Sequence, residues 1–150
     1  MAESTDAVTA VIIVDHGSRR QASNDMLEQA TRDFAAGAQY TIVEPAHMEL
    51  AQPDIATAFR RCVERGAARV IVFPYFLSPG RHWNEDIPRL TAAAAADWPH
   101  VEWLVTAPFG LHPGMGSIIS DRIQHCLAVA VGGDGSCDAC SDSQPCELRK

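Results

Sequence analysis

Lysine is almost absent from this chain. Of 12 Lys plus Arg residues only Lys150 is a lysine, so the other 11 are arginines. Any anion site must therefore be built from guanidinium and backbone N–H groups. Positive charge is short overall: 19 Asp plus Glu leave a formal net charge of −7. A protein that grips nucleic acid through its phosphates would be basic, so no nucleic-acid partner is expected. Long apolar runs are missing too. Nothing approaches 18 consecutive apolar residues, so no membrane span is expected. Cysteine is scarce for most of the chain. Cys62 stands alone, and Cys126, Cys137, Cys140 and Cys146 crowd into the last 25 residues. That distribution does not suit a disulfide framework and points to a reducing, intracellular setting. No GxGxxG loop, Walker A lysine or GxSxG elbow occurs, which argues against dinucleotide binding, P-loop chemistry and an α/β-hydrolase. No internal repeat is found.

What is present is the material of one globular domain, 150 residues of which 47% are hydrophobic. Residues 1–9 are short, polar and acidic, unlike a signal or transit peptide, and are expected to be disordered. Whether a targeting segment once preceded them is left open. Val11–Val14 is a β-branched apolar run that suits a buried parallel strand. Ser23 or Asn24 then caps a helix with Met26, Leu27, Ala30 and Phe34 on one face. Tyr40–Val43 reads as the second strand, followed by a helix that opens at Gln52-Pro53-Asp54 and ends at Gly66. Arg69–Phe76 is the third strand, with a helix near Glu85–Asp97 after it. Val101–Thr106 is the fourth strand, and a last helix runs from Met115 to about Val131.

Four strand–helix units in series imply an α/β fold of three layers, a four-stranded parallel sheet flanked by helices. The simplest strand order is 2-1-3-4, which places a ligand crevice at the carboxyl ends of the first and third strands. The folded domain is expected over residues 10–131. A flexible, cysteine-rich tail, 132–150, follows the Gly132-Gly133-Asp134-Gly135 linker.

The crevice loops carry the unusual chemistry. His16 follows the first strand and His82 the third. Glu44, His47 and Glu49 are expected at the same edge, after the second strand. Two imidazoles and a carboxylate suit a divalent transition metal, and both residue types can move protons near neutral pH. Ser18 and the adjoining helix N-terminus suit an anion, helped by Arg19, Arg20 and Arg81.

In order along the chain stand His16-Gly17-Ser18-Arg19, Pro45-Ala46-His47-Met48-Glu49, Phe73-Pro74-Tyr75-Phe76-Leu77 with Pro79-Gly80-Arg81-His82, and Ala107-Pro108-Phe109-Gly110. This series resembles the small class II chelatases that act on sirohydrochlorin. Asp121–Cys126 and the tail resemble the plant and algal ferrochelatases of that family. The resemblance implies a lyase that inserts Fe²⁺ into sirohydrochlorin and releases two protons, the last step of siroheme synthesis. By analogy His16 and His82 hold the incoming metal, and Glu49 accepts protons from the pyrrole nitrogens. Ser18, Arg19, Arg20, His47, Met48, Phe76, Leu77 and Arg81 are the expected substrate contacts. The resemblance also implies a homodimer, and a chloroplast stroma location if the source is a plant or alga, otherwise the cytoplasm. Two alternatives stand beside it: cobalt or nickel chelation on the same substrate, and a non-enzymatic metal- or redox-sensing module.

The tail spacing is C-x10-C-x2-C-x5-C over Cys126, Cys137, Cys140 and Cys146. On spacing alone a [2Fe–2S] cluster, a zinc ion and redox-active disulfides stay open. The family resemblance implies the cluster.

Overall fold

The computed structural model describes residues 7–130. Its elements are β1 (Thr9–Asp15), α1 (Gln21–Gly37), β2 (Ile42–His47), α2 (Ile55–Glu64), β3 (Arg69–Pro74), a π-helical turn (His82–Asp86), α3 (Ile87–Ala95), β4 (Glu102–Val105) and α4 (Met115–Ala130). All strand pairs are parallel, in the order β2-β1-β3-β4. This is the sheet order expected from the sequence. Cys137, Cys140 and Cys146 lie outside the described residues. These residues form two compact units, one ending at Gly110 and the other beginning at Leu111.

In the first unit β1 is central, bonded to β2 on one side and β3 on the other. That position explains its composition. Ala10 to Val14 are all buried because both faces of the strand are covered. Ala10, Ile12, Val14, Val70 and Val72 point to one face and pack with α2 and α3 residues Ile55, Ala58, Phe59, Cys62 and Ile87. Val11 and Ile13 point to the other face, toward Leu27 of α1. The three layers are thus α2 with α3, the sheet, and α1.

α2 is the most regular helix. Ile55, Ala58, Phe59 and Cys62 are buried at the i, i+3, i+4, i+7 spacing of one helical face. The carboxylate of Asp54 caps its start, accepting from the Thr57 N–H at 2.8 Å. Hydrogen bonding from the Thr57 side chain, and then from the Thr57 N–H, holds the Asp54 carboxyl below its ordinary range. Pro53 therefore precedes the cap and is not in the first turn. Gly66 closes the helix at φ +97°, a conformation cheap only for glycine.

Two local expectations are corrected. α1 starts at Gln21, ahead of Ser23 and Asn24, and its N-cap Arg20 makes no side-chain bond. Its inward face is Asn24, Leu27 and Thr31, while Met26 and Phe34 are exposed. β2 lies later than expected, so Glu44 sits within the strand. Its carboxylate pairs with Arg65 at 2.8 Å, away from the strand ends.

In the second unit α4 carries exposed Ile118, Ile119, Ile123 and Leu127, and the Cys126 thiol on the same helix is free and exposed.

Candidate metal and acid–base site

The site is assembled where β1, β2 and β3 end. Parallel pairing continues one step past β1 and β2. The Met48 N–H donates to Asp15 O at 2.8 Å, and the Glu49 N–H donates to His16 O at 3.0 Å. This ladder ties the loop bearing His16 to the loop bearing Glu49. Gly17 sits at the crossing with φ +86°, and a Cβ there would lie 1.8 Å from the Glu49 carbonyl oxygen. Only glycine lets the two backbones come this close.

Asp15 and Asn24 lock the same turn. One Asp15 carboxylate oxygen accepts from the Gly17 N–H at 2.9 Å and from His47 Nδ1 at 2.6 Å. Asn24, buried on α1, accepts from the Ser18 N–H at 2.9 Å and donates to Ser18 O at 2.8 Å. Asn24 was expected as a cap. Its place one turn inside α1 makes it a brace for the His16 loop instead.

Two imidazoles and a carboxylate converge above this platform. His16 Nε2 lies 2.7 Å from Glu49 Oε1, and the His16 and His82 rings meet edge to face at 4.9 Å between centroids. Their tautomers follow from their partners. His16 Nε2 faces the Glu49 carboxylate at 2.7 Å, and a carboxylate can only accept, so Nε2 carries the hydrogen of that contact; Nδ1 lies 3.2 Å from Gly17 O. His82 Nδ1 lies 2.8 Å from a carboxylate oxygen of Asp86. His82 therefore turns Nε2 outward as an electron-pair donor, whereas His16 Nε2 must give up its hydrogen before it can bind a metal. Among the described residues no three His, Cys, Asp or Glu groups close into a finished metal cage. The arrangement is an open rim, with one imidazole already bonded to the carboxylate.

The remaining candidates are placed as follows. Ser18 is half-buried and its hydroxyl accepts from the Arg20 N–H at 3.0 Å. Arg19 and Arg20 are exposed on the same loop. Leu77 and Arg81 are exposed on the loop after β3, with Arg81 held by Glu85 at 3.2 Å. Met48 and Phe76 are half-buried and pack against the α2–α3 core. His47 corrects the sequence reading. It is fully buried, its Nδ1 serves Asp15 and its Nε2 has no hydrogen-bond partner among the described residues, so it braces the platform from beneath rather than lining its surface. Cys62 plays no part. Burial, reinforced by Glu44 and opposed by Arg65, pushes its thiol up to about 12, so it packs as a small apolar group.

Sequence reasoning missed Asp15, Asn24 and Asp86. Asp15 and Asp86 were detectable as carboxylates one and four residues from the two site histidines. Nothing in the linear sequence pointed to Asn24.

A family model described as CbiX matches residues 10–126. The chain belongs to the CbiX family. It is 51% identical over 138 residues to a chloroplastic sirohydrochlorin ferrochelatase of Arabidopsis thaliana, covering 92% of this chain and 61% of that one. The fold matches that of SirB from Bacillus subtilis with Fe³⁺ at a TM-score of 0.74 and 26% identity, over 79% of this chain and 47% of that one. It also matches SirB from the subspecies spizizenii in complex with cobalt, at a TM-score of 0.73 and 28% identity, over 77% of this chain and 50% of that one. This CbiX chain thus spans about three fifths of the plant relative and half of each Bacillus chain. No helix among the described residues is long and apolar enough to cross a membrane.

Proposed function

We propose that this chain is a sirohydrochlorin ferrochelatase, a lyase that inserts Fe²⁺ into the tetrapyrrole with loss of two protons. The observation that carries the reading is the convergence of His16, Glu49 and His82 at the carboxyl edge of a CbiX fold. A two-imidazole, one-carboxylate rim with open positions suits Fe²⁺ and leaves room for macrocycle nitrogens to take over.

The chemistry follows from the contacts. Fe²⁺ enters as substrate at His16 Nε2 and His82 Nε2. Metal binding at His16 Nε2 displaces the hydrogen that Nε2 donates to Glu49 at 2.7 Å, and Glu49 passes that proton to water. The freed Glu49 carboxylate then accepts a proton as one pyrrole N–H breaks, and passes it to water. The second N–H follows the same route. The pyrrole nitrogens, now anionic, draw the metal from the imidazoles. Ser18, Arg19, Arg20 and Arg81 face the carboxylates of the substrate, Leu77 offers an exposed apolar contact to the ring, and Met48 and Phe76 back the wall behind it.

The same reading extends to a homodimer and to the chloroplast. Support for the dimer is the resemblance to the small chelatases. Support for the chloroplast is the location in the plant relative's name. For Cys126, Cys137, Cys140 and Cys146 we keep the assignment to a [2Fe–2S] cluster. The observation in its favour is that Cys126 is exposed and free to ligate. No step of the reaction passes through it.

The test is an anaerobic chelation assay with Fe²⁺, Co²⁺ and Ni²⁺ in parallel on the full chain. Fe²⁺ turnover is expected, with His16→Ala and His82→Ala each reducing it more than about 100-fold. Full activity in both variants overturns the site. Faster turnover with Co²⁺ or Ni²⁺ than with Fe²⁺ replaces the metal. No metallation of any kind favours a metal-binding module.

A further inference from the structure

We infer that Asp86 is a positioning residue for His82, fixing the tautomer and the aim of the imidazole that meets the metal. The inference rests on the reading of His82 as a metal ligand. The two site histidines are supported differently. His16 bonds to the Glu49 carboxylate at 2.7 Å, and its loop is braced by Asp15 and Asn24. His82 follows an exposed stretch, residues 77–81, and is itself half-exposed; the adjacent Trp83 anchors the turn by donating its indole N–H to Thr106 O at 2.8 Å but does not fix the imidazole. The His82 ring is steadied by the Asp86 carboxylate at 2.8 Å and the edge contact with His16.

The local backbone makes the first of these contacts possible. His82 and Asp86 bound a π-helical turn, and their side chains four positions apart fall on one side of it. The next residue, Ile87, is fully buried and begins α3. Asp86 therefore stands at the junction between the core and the exposed loop, and transmits the position of one to the other. Arg89 lies 3.7 Å from its second oxygen and helps to keep the carboxylate turned toward His82. An exposed His–Asp pair adds little to stability. Its effect is on the ring. With Nδ1–H committed to Asp86, the Nε2 lone pair is the only one left for a metal, and the carboxylate makes it a better donor.

The test uses metal-free full-length protein, with Co²⁺ as the probe. Two-dimensional ¹H–¹⁵N spectra of the imidazoles should show His82 as the Nδ1–H form in the wild type and in Asp86→Asn, whose amide oxygen still accepts. Asp86→Ala should shift it toward the Nε2–H form that dominates in water. Co²⁺ affinity, read from visible absorption, should fall 10- to 100-fold in Asp86→Ala and recover substantially in Asp86→Asn. If His82→Ala leaves Co²⁺ affinity unchanged, the ligand reading falls and this inference with it. If His82→Ala weakens Co²⁺ but Asp86→Ala alters neither the tautomer nor the affinity, the inference alone is overturned.

Discussion

Replacing Gly17 by alanine tests the whole platform with one methyl group. The added Cβ would lie 1.8 Å from the Glu49 carbonyl oxygen, 3.1 Å from its carbonyl carbon and 3.2 Å from the His47 Cβ. To open even a 3.0 Å gap, the Glu49 backbone must retreat by about 1.2 Å. That motion strains the 3.0 Å bond from the Glu49 N–H to His16 O and pulls the carboxylate from the 2.7 Å contact with His16 Nε2. The left-handed backbone at φ +86° adds roughly 1–2 kcal/mol for a residue with a Cβ. Misplacing a reacting group by about 1 Å costs on the order of 100-fold. Gly17→Ala should therefore lower kcat/KM for Fe²⁺ insertion about 100-fold and, at about 2 kcal/mol of destabilisation, lower Tm by roughly 4–8 °C. Gly37→Ala is the control, since its Cβ meets nothing within 4 Å, and it should leave the rate unchanged. A Gly17→Ala protein with wild-type turnover would refute the reasoning, even if its Tm fell, because the loop crossing would then be structural only.

Asp54→Ala should destabilise the chain by about 1 kcal/mol at neutral pH, the usual worth of an N-cap, without altering turnover. Because the folded state holds the Asp54 carboxyl low, the capping stability is present above the ordinary value of 3.8 and is lost as pH falls through the folded value. The gap between wild type and variant in urea melts should therefore close in acid, and a gap that widens would contradict the assigned cap. Arg19→Gln and Arg20→Gln should each raise the KM for the polycarboxylate substrate about 5- to 10-fold, with the effect shrinking in high salt and Tm unchanged. An unaltered KM in both would remove them from the substrate site.

Strand order was legible because four apolar runs alternate with four helical patterns, and right-handed crossovers leave few arrangements. The two histidines and Glu49 were legible because the loops after β1, β2 and β3 carry them: His16 and Glu49 stand close behind their strands, and His82 follows β3 after a short loop. Boundaries were less so. β2 runs on to His47 because its parallel partner β1 extends to Asp15 and carries the ladder with it, against the weak strand signal of Glu44-Pro45. Met26 and Phe34 read as core by type. The α1 face turned inward is instead set by the bonds that Asn24 makes to Ser18, which rotate the helix to bury a polar residue. His47 misled for a similar reason. An imidazole beside an active-site motif suggests a substrate contact, and only the three-dimensional proximity of Asp15 shows it as a buried brace.

Charge shows the same limit at larger scale. A net −7 suggested a protein unsuited to polyanions. The described ion pairs alter that. Arg60, Arg61, Arg65, Arg69, Arg81 and Arg89 are each matched to a carboxylate. Arg19 and Arg20 stand on the loop between His16 and α1, where no acidic partner among the described residues claims them. Of the acidic groups at the site, Asp15 is engaged by His47 and Gly17, Asp86 by His82, and Glu49 by His16. The uncommitted charge on this edge is thus positive, even though the chain total is negative. A carboxylate-rich ligand would meet two free guanidiniums first. A cation would meet an imidazole whose Nε2 hydrogen is held by Glu49, so that binding the metal there sends a proton out through that carboxylate.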